Sequence, residues 1–166
     1  LEIDAADANA RIEGLLASSQ RLQDLGQYDD AAREAENARG LLGPAGRPGS
    51  AGKDLRLRTH RRFAVASVAY ALAGGPVEQL RAASRSFRSS EAPSTATLVT
   101  ALAAAIRGAR EEGDTWKRAL EVAQGLPHLA VEEPSLVGLI VQRLRTEVDS
   151  VNARHIPRTP AGRRAL

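Results

Sequence analysis

Residues 22–38 read LQDLGQYDDAAREAENA, and this stretch decides the fold. Gly26 interrupts one run of helix-forming residues. After it, Tyr28, Ala31, Ala35 and Ala38 recur at the three- and four-residue spacing that puts side chains on one face of a helix. The stretch predicts the turn and second helix of an antiparallel hairpin. The buried face of that helix, residues 28–42, is almost all alanine, so its neighbour can approach closely.

Working outward, residues 4–25 predict the first helix of the hairpin. Asp4 is placed to cap it and Asp7 favours its first turn through the helix dipole. Ile12, Leu15, Leu16, Ser19 and Leu22 form its stripe. Downstream, residues 43–52 read GPAGRPGSAG, a loop by glycine and proline content. A third helix is predicted over residues 54–73, basic in its first half and apolar nearly all round over residues 63–73, which implies central burial. Gly74, Gly75 and Pro76 turn the chain, with Pro76 suited to the first position of helix four. Val77, Leu80, Ala83 and Phe87 give that helix its stripe. Residues 89–95 read as a loop capped by Ser94 or Thr95. Helix five is expected to run to about Glu112, with Leu98, Leu102, Ala105 and Ala109 on one face. Helix six starts at Asp114 and carries Trp116, Ala119, Ala123 and Leu126. Pro127 and Pro134 bracket another loop, and helix seven spans residues 134–152, with Leu136, Ile140, Leu144, Val148 and Val151.

Composition sets outer bounds. A chain of 166 residues can bury a real core as one domain. The expected organisation is one helical domain over residues 1–153 and a flexible basic tail over residues 154–166. There is no cysteine, which excludes disulfides and thiolate metal sites and leaves the redox compartment open. There is no methionine either, and the chain begins at Leu1, as expected of a processed form or a piece of a longer product. The compartment stays open, with the cytoplasm favoured. No apolar run approaches the roughly 20 residues that span a bilayer. Lys53 and Lys117 are the two lysines, and arginine supplies the other cations, a usage expected of a GC-rich bacterial genome. The net charge is +3, unevenly spread. Residues 1–50 carry nine acidic and five basic side chains, residues 51–91 three and eight, and beyond Asp149 only arginines remain. An acidic and a basic face follow, hence an oriented interaction.

The hairpin plan recurs. Gly75 is followed by Val77, Leu80, Ser84 and Phe87 at the offsets seen after Gly26. Asp114 is followed, with a one-residue shift, by Trp116, Ala119, Ala123 and Leu126. The period is roughly 40–50 residues, and each unit is a helix pair that buries its apolar faces only by stacking. The first unit resembles a tetratricopeptide repeat. The turn glycine, Tyr28, Ala31, Ala35 and Ala38 stand where that motif places them. The first-helix positions that prefer Trp, Leu and Gly hold Leu15, Ser18 and Ser19, and the spacing exceeds the motif's usual one. The resemblance implies an α-solenoid whose groove binds a peptide or another protein.

The catalytic constellations sought are not found. Residues 46–54, GRPGSAGKD, miss the phosphate-loop pattern: five residues instead of four separate Gly46 from the Gly52–Lys53 pair, and Asp54 would repel a phosphate. His60, His128 and His155 lie far apart without a carboxylate at ligand spacing. Glu111–Glu112, at a helix end, and Glu132–Glu133, in a loop, are sequence neighbours, and neighbours on a helix point apart, away from a shared cleft; no serine sits in a nucleophile elbow. The expectation is a non-enzyme without cofactor or metal.

The fold class expected is all-α, with about seven helices in stacked antiparallel hairpins, as a tetratricopeptide-like solenoid or a helical bundle. The function expected is a scaffold that binds a peptide or protein through Gln20, Arg21, Arg58, Arg62 and Arg107. Two alternatives are kept. One is nucleic-acid or polyanion binding through Lys53, Arg56, Arg58, Arg61 and Arg62 with the C-terminal Arg158, Arg163 and Arg164. Against it stand the missing base-stacking aromatics and acidic neighbours such as Asp29, Asp30 and Glu34 that can pair with the basic segment. The other is a structural subunit of a homo- or hetero-oligomeric assembly, docked through its arginine-rich tail.

Overall fold

A computed structural model describes residues 5–44, 51–108 and 114–155. The described residues form seven helices: α1 Ala5–Asp24, α2 Tyr28–Gly40, α3 Lys53–Leu72, α4 Glu78–Ser89, α5 Pro93–Gly108, α6 Asp114–Glu132 and α7 Pro134–His155. The protein is all-α, as expected. Asp4, Ala109, the 45–50 part of the glycine-rich loop, Glu111, Glu112 and the tail from residue 156 lie outside the described residues. No helix among the described residues is long and apolar enough to cross a membrane. Contacts group the chain into two compact units, Leu1–Thr100 and Ala101–Leu166.

In the first unit α2 is the thin element. Ala31, Ala35 and Ala38 are fully buried and Ala32 nearly so, which lets α2 pack against both α1 and α3. α3 also touches α1 and pairs with α4. Its second half is buried almost all round, from Phe63 to Ala69 and again at Ala71 and Leu72, as the unbroken apolar run requires. Two layers of core result. One joins Ile12 and Leu16 to Ala38, Leu42, Ala51 and Leu55. The other sets Phe63 and Ala66 against Ala31, Ala32 and Ala35. Burying a phenylalanine such as Phe63 contributes about 1.5–3 kcal/mol.

The turns obey one rule. After α1, Gly26 has φ +78. Its N–H bonds Gln23 O at 3.0 Å and the Gln27 N–H bonds Leu22 O at 2.9 Å. This Schellman pairing satisfies the last carbonyls of the helix. After α3 the pattern recurs with Gly74 (φ +110) and the bond from Gly75 N–H to Tyr70 O at 2.9 Å. The left-handed residue is thus Gly74, one earlier than the glycine aligned from the sequence. After α4 it recurs again, with Glu91 N–H on Arg88 O at 3.1 Å and Ala92 N–H on Phe87 O at 2.8 Å, although Glu91 (φ +62) is not a glycine. Matching side-chain clasps accompany the first and third turns. Ser19 Oγ donates to Ala31 O at 2.7 Å, and Ser84 Oγ donates to Ala96 O at 3.0 Å. The segment read as a loop at 89–95 is therefore a tight hairpin turn like the first.

Three further expectations are corrected. Pro76 does not open α4. Gln79 and Leu80 bond back three residues to Pro76 and Val77, and the helix starts at Glu78. α5 opens on Pro93 itself, where the absent N–H costs nothing, rather than after a Ser94 or Thr95 cap. α6 runs through Pro127 instead of ending there. Its buried residues are Val122 and Leu129, one on each side of the proline and two turns apart. Packing of that stripe against α7 outweighs one lost backbone bond. The stripe is also rotated from the expected one, since Ala123 is exposed; the larger Val122 gains more by burial. Leu136, Ile140 and Leu144 of α7 are buried as expected, and Glu133 alone joins the two helices.

Replacing Glu91 by glycine should raise stability by about 1 kcal/mol, because a left-handed backbone costs a non-glycine residue about that much. The exposed ion pair to Lys53 at 3.2 Å that it removes offsets little. Gly26→Val should do the opposite. Thermal unfolding followed by circular dichroism checks both, and an Glu91→Gly protein no more stable than the parent would show that the turn is unstrained.

Candidate partner-binding site

The basic start of α3 is where the sequence placed a partner. Asp54, Arg58 and Arg62 are four residues apart on α3 and so share a face. That face meets α1. Arg58 forks onto Glu13, donating to Oε2 at 2.9 Å and Oε1 at 2.6 Å, while its Nε donates to Asp54 at 2.9 Å. Arg62 donates to the side-chain oxygens of Gln20 and Gln23. Gln20 in turn donates to Asp24 at 2.9 Å. Hydrogen bonding to Arg58 holds the Glu13 carboxyl below its ordinary range, and the bonds to Glu13 and then Asp54 hold the Arg58 guanidinium more firmly charged. Gln20, Arg58 and Arg62 are thus brought together, in a polar ladder that joins α1 to α3.

The other predicted residues fall elsewhere. Arg21 is exposed on α1. Arg107 is in the last turn of α5, and its side chain lies outside the described ones. Arg56 donates to Leu42 O at 3.0 Å and Gly43 O at 2.9 Å, closing the carbonyl end of α2. Lys53 faces Glu91, and Arg61 is exposed. Arg158, Arg163 and Arg164 lie outside the described residues. The basic segment thus meets Glu13, Asp54, Glu91, glutamines and backbone carbonyls. Asp30 pairs with Arg33 on its own helix at 2.9 Å. Among the described residues no group of three His, Asp or Glu side chains could hold a metal ion.

Among the described residues, an open surface of this unit lies between α2, α3 and α4. A cleft of about 500 Å³ runs there. Phe63 and Tyr70 of α3, Ala32 of α2 and Ala82 of α4 supply apolar wall, and Asp29, Arg33, Glu36, Arg39 and Gln79 edge it. Arg39 is held twice, by Glu36 at 2.7 Å and by stacking 4.1 Å above the Phe63 ring. Phe63 reaches the floor of the cleft only at its edge, because the ring is buried and Arg39 covers it. A smaller notch of about 260 Å³ adjoins it, between the α1–α2 and α3–α4 turns, and Asp29 and Tyr70 line both. Tyr70 lies directly on Gly75; a Cβ there would sit 2.5 Å from the ring. The sequence signals for this site were the lone tyrosine in an apolar helix and the paired glycines after it.

His60 is on α3. It is half-buried, and its Nδ1 is buried without a hydrogen bond. Burial first, then the neighbouring cations Arg39 of α2 and Arg56 of α3, hold its pKa below the ordinary histidine value.

No known protein-family model, curated protein or solved structure matches this chain.

A histidine whose pKa is lower folded than unfolded binds fewer protons in the native state, so stability rises with pH across its titration. It should be complete above the unfolded value of about 6.5 and decline as the pH falls below it towards the lower folded value. Urea unfolding at pH 7.5 and pH 5.5 should show this decline, and His60→Gln should flatten it. An unchanged pH slope in the variant would assign the effect to other groups.

Proposed function

We propose that the chain is a helical-repeat protein-interaction module, of tetratricopeptide-like build, that receives a peptide or protein segment in the cleft between α2, α3 and α4. The observation that carries this reading is the cleft itself. It joins an apolar wall of Phe63, Ala32 and Ala82 to a rim of both charge signs, the composition that gives an interface its affinity and its register. Stacking of the α1–α2 and α3–α4 hairpins through α3 supports a preformed surface, because the cleft walls belong to packed helices rather than loops. The α1–α3 ladder supports the same placement: its arginines already have partners within the chain, so the open chemistry is on the other side.

The reading predicts capture of a protein from native cell extract that survives nuclease treatment and is lost when Ala82→Arg fills the cleft. A partner held equally by the variant would move the interaction off this cleft. Loss of all bound material on nuclease treatment would replace the reading by polyanion binding.

A further inference from the structure

The notch beside the cleft has a chemistry of its own. Its lining comes from two turns: Tyr28 and Asp29 open α2, and Gly74 and Gly75 follow α3, with Tyr70 between them and the cleft. Asp29 is the one charged side chain in that lining. The end of α3 contributes the negative pole of its dipole, whereas the positive pole of α2 is answered by Asp29 and Asp30 in its first turn. Two tyrosines, Tyr28 and Tyr70, also line it. A carboxylate beside two tyrosines, at the negative end of a helix dipole and in a space of about 260 Å³, suits an ammonium or guanidinium group. An anion would meet a carboxylate there, and a purely apolar group would strand it.

The neighbouring cleft does not oppose a cationic guest. Its two arginines are each matched, Arg33 by Asp30 at 2.9 Å and Arg39 by Glu36 at 2.7 Å. Because Asp29 and Tyr70 line both spaces, an extended segment can place one side chain in each.

We propose that the notch formed by Tyr28, Asp29, Tyr70 and Gly75 receives a lysine or arginine side chain of a partner peptide, whose neighbouring apolar side chain lies in the cleft beside Tyr70 and Ala82. This assignment rests on the interaction-module reading and names the chemistry of the partner. The anchor is the basic residue; the apolar neighbour sets direction, because the notch lies at the turn end of the cleft.

A library of random peptides displayed on phage, selected against the purified chain, tests it, with affinities of the enriched peptides then measured by fluorescence anisotropy. The enriched sequences should share a lysine or arginine next to an apolar residue. Asp29→Asn should weaken them about tenfold, and raised salt should weaken the parent more than the variant. Asp149→Asn, an exposed change on α7, should bind as the parent does, and circular dichroism should show both variants equally helical. Enriched peptides that lack a basic residue, or that bind Asp29→Asn as tightly as the parent, would overturn the notch assignment while leaving the interaction module standing. No enrichment against the parent chain would overturn both.

Discussion

Alanine at the contact face of α2 is the constraint on which the first unit depends. Ala31, Ala35 and Ala38 are wholly excluded from solvent, and the distance at which two helices pack is set by the side chains between them. Only with methyl groups there can α1 come close enough for Ser19 to reach the Ala31 carbonyl at 2.7 Å. α3 likewise packs against α2 and α1 together, so Arg58 and Arg62 span from α3 to α1. A larger residue at any of the three positions would wedge the layers apart, at the 1–3 kcal/mol typical of overpacking, and would strain the polar ladder at the same time.

The unit divides its polar side chains between two tasks. On the α1–α3 side they face one another, and the ladder fixes how the helices lie. Exposed ion pairs of this kind contribute little individually, but Arg58 forks onto both oxygens of Glu13, which sets an angle as well as a distance. On the α2–α4 side a cleft stays open, lined by Ala32, Tyr70 and Ala82 together with Asp29, Arg33, Glu36 and Arg39. Arginine suits both places. Its planar head forks onto a carboxylate at Arg58 and stacks on a ring at Arg39.

Much of the helical outline was legible. Gly26 marks its turn because glycine adopts a positive φ without steric cost, and the apolar run ending α3 announces burial on every side. The equivalent turn at Glu91 was not legible. The same bond pattern closes it, but its left-handed residue carries a side chain, so the local signal is missing and only the clasp of Ser84 on Ala96, which joins α4 to α5, reveals the turn. Pro127 misled in the opposite sense. Local rules end a helix there, yet burial of Val122 and Leu129 on one face carries α6 through. The site shows the same split. Gln20, Arg21, Arg58, Arg62 and Arg107 are expected from the hairpin pattern as exposed contacts. A pattern does not tell whether a side chain meets solvent, a partner or another helix of its own chain, and Arg58 meets Glu13 while Arg62 meets Gln20.

The sequence by itself determined the helical class, the alanine-faced hairpin, the buried half of α3 and the basic character of its start, because these follow from periodicity and from the conformational limits of single residues. Tertiary structure decided which arginines are held by Glu13, Gln20 and Gln23, which glycine is left-handed after α3, and that a cleft opens between α2, α3 and α4. Those outcomes depend on which residues distant in sequence come within a few ångströms of one another. That proximity is set by the summed packing of whole helix faces, and a local stretch does not contain it.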